Sequence, residues 1–288
     1  MTKRAASNLT KTVADLSGVS GTAGADVIIV NTCGFLDSAD VIIVTDSVSG
    51  DSLDLLGGSD TLKLRGDGNT VHLSNIESVL GSTGVDIVFF EAKFVGKLDL
   101  GADDDKLAFD DDGAVATVSN VETVIGGDDV DSIIFASKAN GVSIDLKDGN
   151  DKVLLGAFIN NITISNVETI VGAVSSDTVT VEDSIDGGKI DLAAGKDSIT
   201  FESAVTLTLA NIETIDGSAD DDVITISTIA TKTSVDLGAG DDEIVLGNFA
   251  NSLTIAKAES IVGGTNTDIV MLDGRMVNVE IDLNGGKD

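Results

Sequence analysis

Apolar and polar residues alternate with a period of two along almost the whole chain, in short runs set apart by turn residues. "DEIVL" (Asp242–Leu246), "DKLAF" (Asp105–Phe109) and "DSITF" (Asp197–Phe201) each place apolar side chains two apart, with β-branched or large residues favoured. That pattern predicts half-buried strands. Segments such as "IDL" and "NVETI" alternate in the same way, and clusters of Gly, Asp, Asn and Ser interrupt them about every ten residues. Nothing sustains a helical period. The chain reads as all-β.

The strands are copies of one another. Blocks of 45 or 46 residues open with "LDLLGGSDTLKL" (Leu53), "LDLGADDDKLAF" (Leu98), "IDLKDGNDKVLL" (Ile144), "IDLAAGKDSITF" (Ile190) and "VDLGAGDDEIVL" (Val235), and "IDLNGGKD" begins a sixth at Ile281. The blocks are residues 53–97, 98–143, 144–189, 190–234, 235–280 and the partial 281–288. Each carries a related second half, as in "SNIESVLGSTGVDIVF" from Ser74 and "SNVETVIGGDDVDSIIF" from Ser119. Residues 1–52 hold degenerate copies, including "LSGVSGTAGADVIIV" (Leu16–Val30), and are expected to cap the array. Units too small to bury a core alone imply stacking. The expected fold is a parallel β-solenoid of about a dozen coils, a rod on the order of 60 Å at ~4.8 Å per coil. One coil is expected per half-block of roughly 20 to 26 residues. Leu62, Leu107, Val153, Ile199 and Ile244 would then form one inward column, and Leu64, Phe109, Leu155, Phe201 and Leu246 another.

Composition adds charge to this picture. Acids outnumber bases 49 to 17, for a formal charge of -32, and Pro, Trp and Tyr are absent. Such a surface repels nucleic acid and anionic membranes and attracts cations. Cys33 is the single cysteine, which excludes an internal disulfide and reads as a buried thiol. The first residues lack an apolar stretch of signal-peptide length, and no segment approaches a membrane span.

The acids are periodic. One Asp precedes the strand in every half-block: Asp60, Asp105, Asp151, Asp197, Asp242 and Asp288 in the first halves, and Asp26, Asp86, Asp131, Asp177, Asp222 and Asp268 in the second. Stacked at one corner within ~5 Å, neighbouring carboxylates would repel by about 1 kcal/mol even at the dielectric of water. Protons or cations would have to neutralise such a column. Hard oxygen ligands on flexible, Gly-containing turns favour Ca²⁺ over Mg²⁺. The alternative is that each Asp caps its own turn by accepting backbone N–H groups, which needs no metal. At Asp177 capping is the expected role.

Here the turns resemble the repeats-in-toxin (RTX) nonapeptide G-G-x-G-x-D-x-U-x, which winds a calcium-binding parallel β-roll. "GTAGADVII" from Gly21 and "GSTGVDIVF" from Gly81 match at two glycines, the Asp and the apolar position, and "GGDDVDSII" from Gly126 keeps both leading glycines. The resemblance implies Ca²⁺ ligation by Gly24, Asp26, Gly58, Asp60, Gly84, Asp86, Asp103, Asp105, Asp129, Asp131, Gly149, Asp151, Asp197, Asp220, Asp222, Gly240, Asp242, Asp268 and Asp288. The departures are an extra strand and loop between turns, where RTX repeats run head to tail, and Lys196 and Lys287 within the turns.

A second periodic feature is Asn-x-Glu: Asn75 and Glu77, Asn120 and Glu122, Asn166 and Glu168, Asn211 and Glu213. Asn at an inward corner could bond the backbone of adjacent coils, forming a structural polar column; an ordinary turn is the alternative. Glu259 persists where Lys257 replaces Asn. His72, the only histidine, lies in an alternating strand and reads as a surface residue. No nucleophile elbow, metalloprotease helix or cysteine-pair metal spacing occurs, and no block is irregular enough for a catalytic site. The chain is therefore expected not to be an enzyme.

The resemblance implies a calcium-binding, secreted or cell-surface structural protein, exported by a signal-peptide-independent (type I) route and self-assembling into a layer, filament or matrix. Its implied partners are further copies of itself and calcium ions, with cell-surface polysaccharide as a further candidate. No nucleic-acid partner and no membrane insertion are expected. Two alternatives stay open: an adhesin stalk or ligand-binding solenoid, ice-binding included, and the noncatalytic repeat region of a secreted enzyme.

Overall fold

The structure, a computed structural model, describes residues 9–13, 27–29, 39–44, 47–55, 57–275 and 277–288. Gly24, Asp26 and Cys33 lie outside the described residues. Among these residues there is no helix. Every regular element is a strand, and the strands pair in parallel.

The chain divides into two compact units, Met1–Ser137 with Leu146–Gly149 and Lys138–Asp145 with Asn150–Asp288. In the first unit, sheet a orders Leu9–Val13, Asp40–Val44, Thr61–Lys63, Ser78–Leu80, Val95–Asp99, Val115–Ser119 and Ser132–Phe135. Its sheet b orders Val27–Ile29, Ser49–Asp54, Asn69–Ser74, Asp86–Phe90, Lys106–Ala108 and Thr123–Ile125. In the second unit, sheet a orders Lys152–Leu154, Thr169–Val171, Ile185–Asp191, Val205–Ala210, Val223–Ile226, Glu243–Leu246, Ser260–Val262 and Glu280–Asp282. Its sheet b orders Asn140–Asp145, Asn161–Ser165, Thr178–Val181, Ser198–Phe201, Thr214–Asp216, Thr231–Asp236, Ser252–Ala256 and Ile269–Leu272. Successive strands alternate between the two sheets, so each pair completes one coil. Each unit is a parallel β-solenoid, as the repeat predicts.

The pleat puts every second side chain inside. Val179, Ile199 and Ile215 pair in register across sheet b of the second unit and are all buried. Ile224, Ile244 and Ile261 do the same in its sheet a. The core between the two sheets is mainly Ile, Leu and Val, as the aliphatic bias of the sequence requires. The exception is in the first unit, where Phe90 stacks against Phe94 and Phe109 with ring centroids 4.1 and 5.7 Å away. Such pairs add to burial through their edge and face electrostatics.

The coil is shorter than the half-block expected to form it. Hydrogen-bonded equivalents on adjacent coils lie only 16 to 21 residues apart. A block of 45 or 46 residues therefore spans two and a half coils, and its start shifts from one sheet to the other at each copy. Val95–Asp99, which holds the "LDL" of the second block, is in sheet a of the first unit. In the second unit Ile190 lies in sheet a and Val235 in sheet b. The two inward columns read from the blocks are corrected accordingly. Ile199 and Ile244 are both buried but belong to different sheets, and so do Phe201 and Leu246. Each stacks on residues of the other half-block instead.

Phe94 is 2 % exposed at the centre of the aromatic cluster. Phe94→Ala leaves a ring-sized cavity and should cost about 3–5 kcal/mol. Urea titration followed by circular dichroism should show an early transition, and hydrogen exchange should rise in the first unit. An unchanged midpoint would mean that the cluster is not part of the core.

Candidate cation site at the coil corners

Where a strand ends and the coil turns, its backbone N–H groups point inward and lose their sheet partners. The sequence places a carboxylate or an amide at each such corner. Asp60, Asp86, Asp105, Asp131, Asp151, Asp177, Asp197, Asp222, Asp242 and Asp268 are all buried, with at most 1 % exposure. The buried N–H groups need acceptors, and these side chains supply them across coils.

The aspartates do not form one line of twelve. Because the block is two and a half coils long, they come in adjacent pairs: Asp86 with Asp105 in the first unit, and Asp177 with Asp197, Asp222 with Asp242 and Asp268 with Asp288 in the second. Within each pair the N–H of the first donates to Oδ1 of the second, at 2.7, 2.7, 2.8 and 2.7 Å. In the second unit the pairs alternate in position. Asp177 and Asp197 precede strands of sheet b, Asp222 and Asp242 precede strands of sheet a, and Asp268 precedes a strand of sheet b again.

The two members of a pair differ. In three of the four pairs the first caps its own turn, as the metal-free alternative requires. Oδ2 of Asp86 accepts the Ser82 N–H at 2.6 Å, and Oδ2 of Asp222 accepts the Ser218 N–H at 2.8 Å. Oδ2 of Asp268 accepts the Gly264 N–H, and Asp131 accepts the Gly127 N–H in the same way. Their Oδ1 atoms accept donors from the preceding coil: the Asn69 and Asn251 side chains, and the Ala114 and Val205 N–H groups. Asp177 accepts the Asn160 side-chain amide at 2.8 Å on Oδ1, but its Oδ2 is enclosed without a hydrogen-bond partner, so the capping seen at the other first members is not repeated there.

The second member donates its N–H onward to a glutamate of the following coil. Asp60, Asp105, Asp151, Asp197 and Asp242 donate to Oε2 of Glu77, Glu122, Glu168, Glu213 and Glu259 at 2.7, 2.8, 2.7, 2.9 and 3.0 Å. This gives the Glu of Asn-x-Glu its role. Oδ2 of Asp105, Asp197 and Asp242 is fully enclosed and has no hydrogen-bond partner. Burial pushes these three carboxyls up, to about 7 for Asp105 and about 6 for Asp197 and Asp242. The partner aspartate's N–H pulls the other way, and the neighbouring Asp and Glu charges add to the rise. These are the atoms that a proton or a cation would satisfy.

The rest of the expected ligand set is divided between turn and surface. Asp103, Asp129 and Asp220 are exposed on the outside of their turns. Gly58, Gly84, Gly149, Gly240 and Gly286 carry the turn backbone. Gly240 has φ of 157°, and a Cβ there would meet the Asp220 carbonyl at 2.7 Å, so only glycine fits the coil spacing. Among the described residues no group of three or more His, Cys, Asp or Glu side chains is arranged to hold a metal ion. The donor set thus offers a cation the orphaned oxygens of Asp105, Asp177, Asp197 and Asp242. Any remaining ligands would be turn carbonyls, the exposed acids and water.

The Asn column is not inward. Asn75, Asn120, Asn166 and Asn211 lie on the outside in the left-handed conformation, with φ of 52–54°. Each donates Nδ2 to the outward Asp of the coil before, at 2.7–2.8 Å to Asp54, Asp99, Asp145 and Asp191. Asn tolerates positive φ better than other side chains, and Lys257 makes the same link to Asp236 as an ion pair of 3.0 Å. The inward polar residues are others, Asn69, Asn160 and Asn251, at most 3 % exposed. Their Oδ1 atoms accept the N–H groups of Val48, Ala139 and Ala230. The one sequence signal for them is a spacing of 91 residues, twice the block. His72 stacks on Phe89 at 4.7 Å and meets Glu91 on the outer face of a strand, as a surface residue would.

Compared with protein-family models, curated proteins and solved structures, the chain matches none.

The raised carboxyls set a direction for pH. Their folded-state values exceed the ordinary 3.8. Between about 4 and 7 the folded chain therefore holds more protons than the unfolded one, and stability falls as pH rises through that window. Urea midpoints in chelator should be higher at pH 4.5 than at 7.5, and Asp105→Asn should flatten the slope. A stability that rises with pH across this range would refute the assignment.

Proposed function

We propose that this chain is a calcium-binding structural solenoid that works outside the cell, assembling with further copies of itself into a layer, filament or matrix. The observation that carries the reading is the orphaned, buried Oδ2 of Asp105, Asp197 and Asp242, each beside a second carboxylate that is already engaged. An enclosed carboxylate oxygen without a donor is costly, by about 1–3 kcal/mol or more when charged. A divalent cation removes that cost at neutral pH, where protons are scarce. The exposed Asp103, Asp104, Asp220 and Asp221 at the same turns add oxygen donors and draw cations in.

Such a protein is an extended scaffold whose rigidity follows the calcium level, with the corners as its fastenings. Cell-surface polysaccharide is its second partner. A non-enzymatic role belongs to the same reading. The competing reading, a ligand-binding stalk, is favoured by one observation. On the outer face of sheet b in the second unit, Thr178, Ser198, Thr214, Ser234 and Thr254 pair in register as a row of hydroxyls over five consecutive strands.

Calorimetric titration of the chelated protein with Ca²⁺, with thermal melts in parallel, tests the calcium reading. Binding of more than one ion is expected, with a rise in melting temperature that Mg²⁺ does not reproduce. Asp105→Asn combined with Asp242→Asn should lower the number of ions bound. Absence of both heat and a shift at millimolar Ca²⁺ would leave the aspartates as backbone caps alone. Assembly is read separately, as growth in light scattering when Ca²⁺ is added.

A further inference from the structure

A concavity in the second unit lies on sheet b, across three consecutive coils. It is a groove of about 470 Å³. One wall is the turn at Gly195 and Lys196, and the other is the start of strand Thr231–Asp236, at Thr231 and Lys232. Glu213 and Thr214, on the coil between, form the floor. Ser198, Thr214 and Ser234 pair in register there, so three hydroxyls line up along the groove. Asp197 lies at its base, 1 % exposed.

Two features set this groove apart from its copies in the other blocks. The first is Lys232. A register shift recurs between Ser49 and Asp51, Asn140 and Val142, Asp186 and Gly188, and Thr231 and Thr233. The residue inside the shift is left-handed in all four, with φ of 78°, 73°, 84° and 60°. Three are Gly50, Gly141 and Gly187, as that conformation favours. The fourth is lysine. A Cβ at Gly141 or Gly187 would meet nothing within 4 Å, so a side chain at this bulge stands in the open. A non-glycine residue kept in a disfavoured conformation is a reason to look for function. The second feature is Lys196, at the turn position that Ser59, Asp104, Asn150 and Asp241 occupy in the other complete blocks; Lys287 repeats it in the partial sixth.

Charge sharpens the contrast. Among the described residues neither lysine forms an ion pair within 4 Å, whereas Lys257 pairs with Asp236. The carboxylates nearby are turned to backbone donors: Glu213 Oε2 accepts the Asp197 N–H, and Asp197 Oδ1 accepts the Asp177 N–H. In a chain with 49 acids, two lysines without an ion pair line the same hydroxyl-bearing groove.

We propose that this groove binds an anionic polysaccharide, holding a carboxylate or sulfate of one sugar between Lys196 and Lys232 and the sugar hydroxyls along Ser198, Thr214 and Ser234. The proposal deepens the polysaccharide partnership in the function proposed above and rests on it. Lysine serves here as a point charge for an anionic group of either geometry. The hydroxyl row continues to Thr178 on one side and Thr254 on the other, so a chain of sugars can run along the coil axis. The overall charge of -32 disfavours anions at long range, but screening at physiological salt confines that repulsion to about 8 Å.

Calorimetry on the full chain should use four probes: an oligouronate, a sulfated oligosaccharide, a neutral oligoglucan and sodium sulfate. Binding of the uronate, the sulfated sugar or both is expected, and which one binds identifies the anion. Lys232→Gly and Lys196→Ser each install a residue found at the matching position of another block, so the fold should be kept. Each should weaken binding by about tenfold or more. Lys189→Ala removes the same charge from sheet a and should leave binding unchanged. The proposal fails if the neutral glucan binds equally, if sulfate ion alone binds as tightly as either sugar, or if Lys232→Gly has no effect. It also fails if Lys189→Ala weakens binding as much, or if no probe binds. Calcium uptake is measured independently, so loss of the sugar site leaves the corner assignment standing.

Discussion

The structure depends on one requirement: at every corner of a coil, backbone N–H groups that have left their sheet must still find acceptors inside the protein. An unsatisfied buried donor costs about 1–3 kcal/mol, and a solenoid repeats that cost at each turn. The chain meets it with a relay that always runs the same way. In the second unit the Ala139 N–H donates to Asn160, the Asn160 side chain to Asp177, the Asp177 N–H to Asp197, and the Asp197 N–H to Glu213. In the first unit Val48, Asn69, Asp86, Asp105 and Glu122 repeat it step for step. Each coil is bonded to the next through side chains as well as through its sheets. The acidity of the sequence follows in part from this, because a carboxylate is the strongest acceptor of several N–H groups at once.

The relay also limits the electrostatic problem that the repeat suggests. A line of carboxylates at one corner would accumulate repulsion along its whole length. In the second unit two adjacent aspartates are followed by a glutamate turned to a backbone donor and then by a coil with no acid at that corner, Ala230 after Glu213. The next pair, Asp222 and Asp242, precedes strands of the other sheet. Repulsion is therefore concentrated within pairs, and it adds to the rise that burial gives the carboxyls of Asp105, Asp197 and Asp242. The orphaned oxygen of Asp242 and the satisfied oxygens of Asp222 are two sides of one arrangement.

Much of this was legible in the sequence. Period-two alternation and turn residues every ten positions gave the strands, and block identity gave the parallel solenoid. The invariant Asp before each strand marked the corner. The size of the coil was not legible, because both half-blocks end in the same Gly-Asp turn and nothing in the alignment says that a block crosses the structure five times. From that one ambiguity follow the single Asp column, the false inward columns and the misplaced Asn. Asn75 and its copies recur in every block and so attracted attention, yet they lie outside at positive φ. Asn69, Asn160 and Asn251 recur in every second block and are buried.

The half-integral number of coils per block therefore has a physical consequence beyond register. Copies one block apart face opposite sheets, and copies two blocks apart, 91 residues, return to the same one. Side chains that act at a single edge can agree only at the longer spacing. Asn69, Asn160 and Asn251 do so, while the intervening copies, Ala114 and Val205, serve the same corner through their backbone N–H alone. The hydroxyl row shows the reverse. Thr178, Ser198, Thr214, Ser234 and Thr254 come from different halves of different blocks, so no block alignment displays them together. Their agreement exists only on the folded surface. The lysines at 196 and 232 line the groove on that same face.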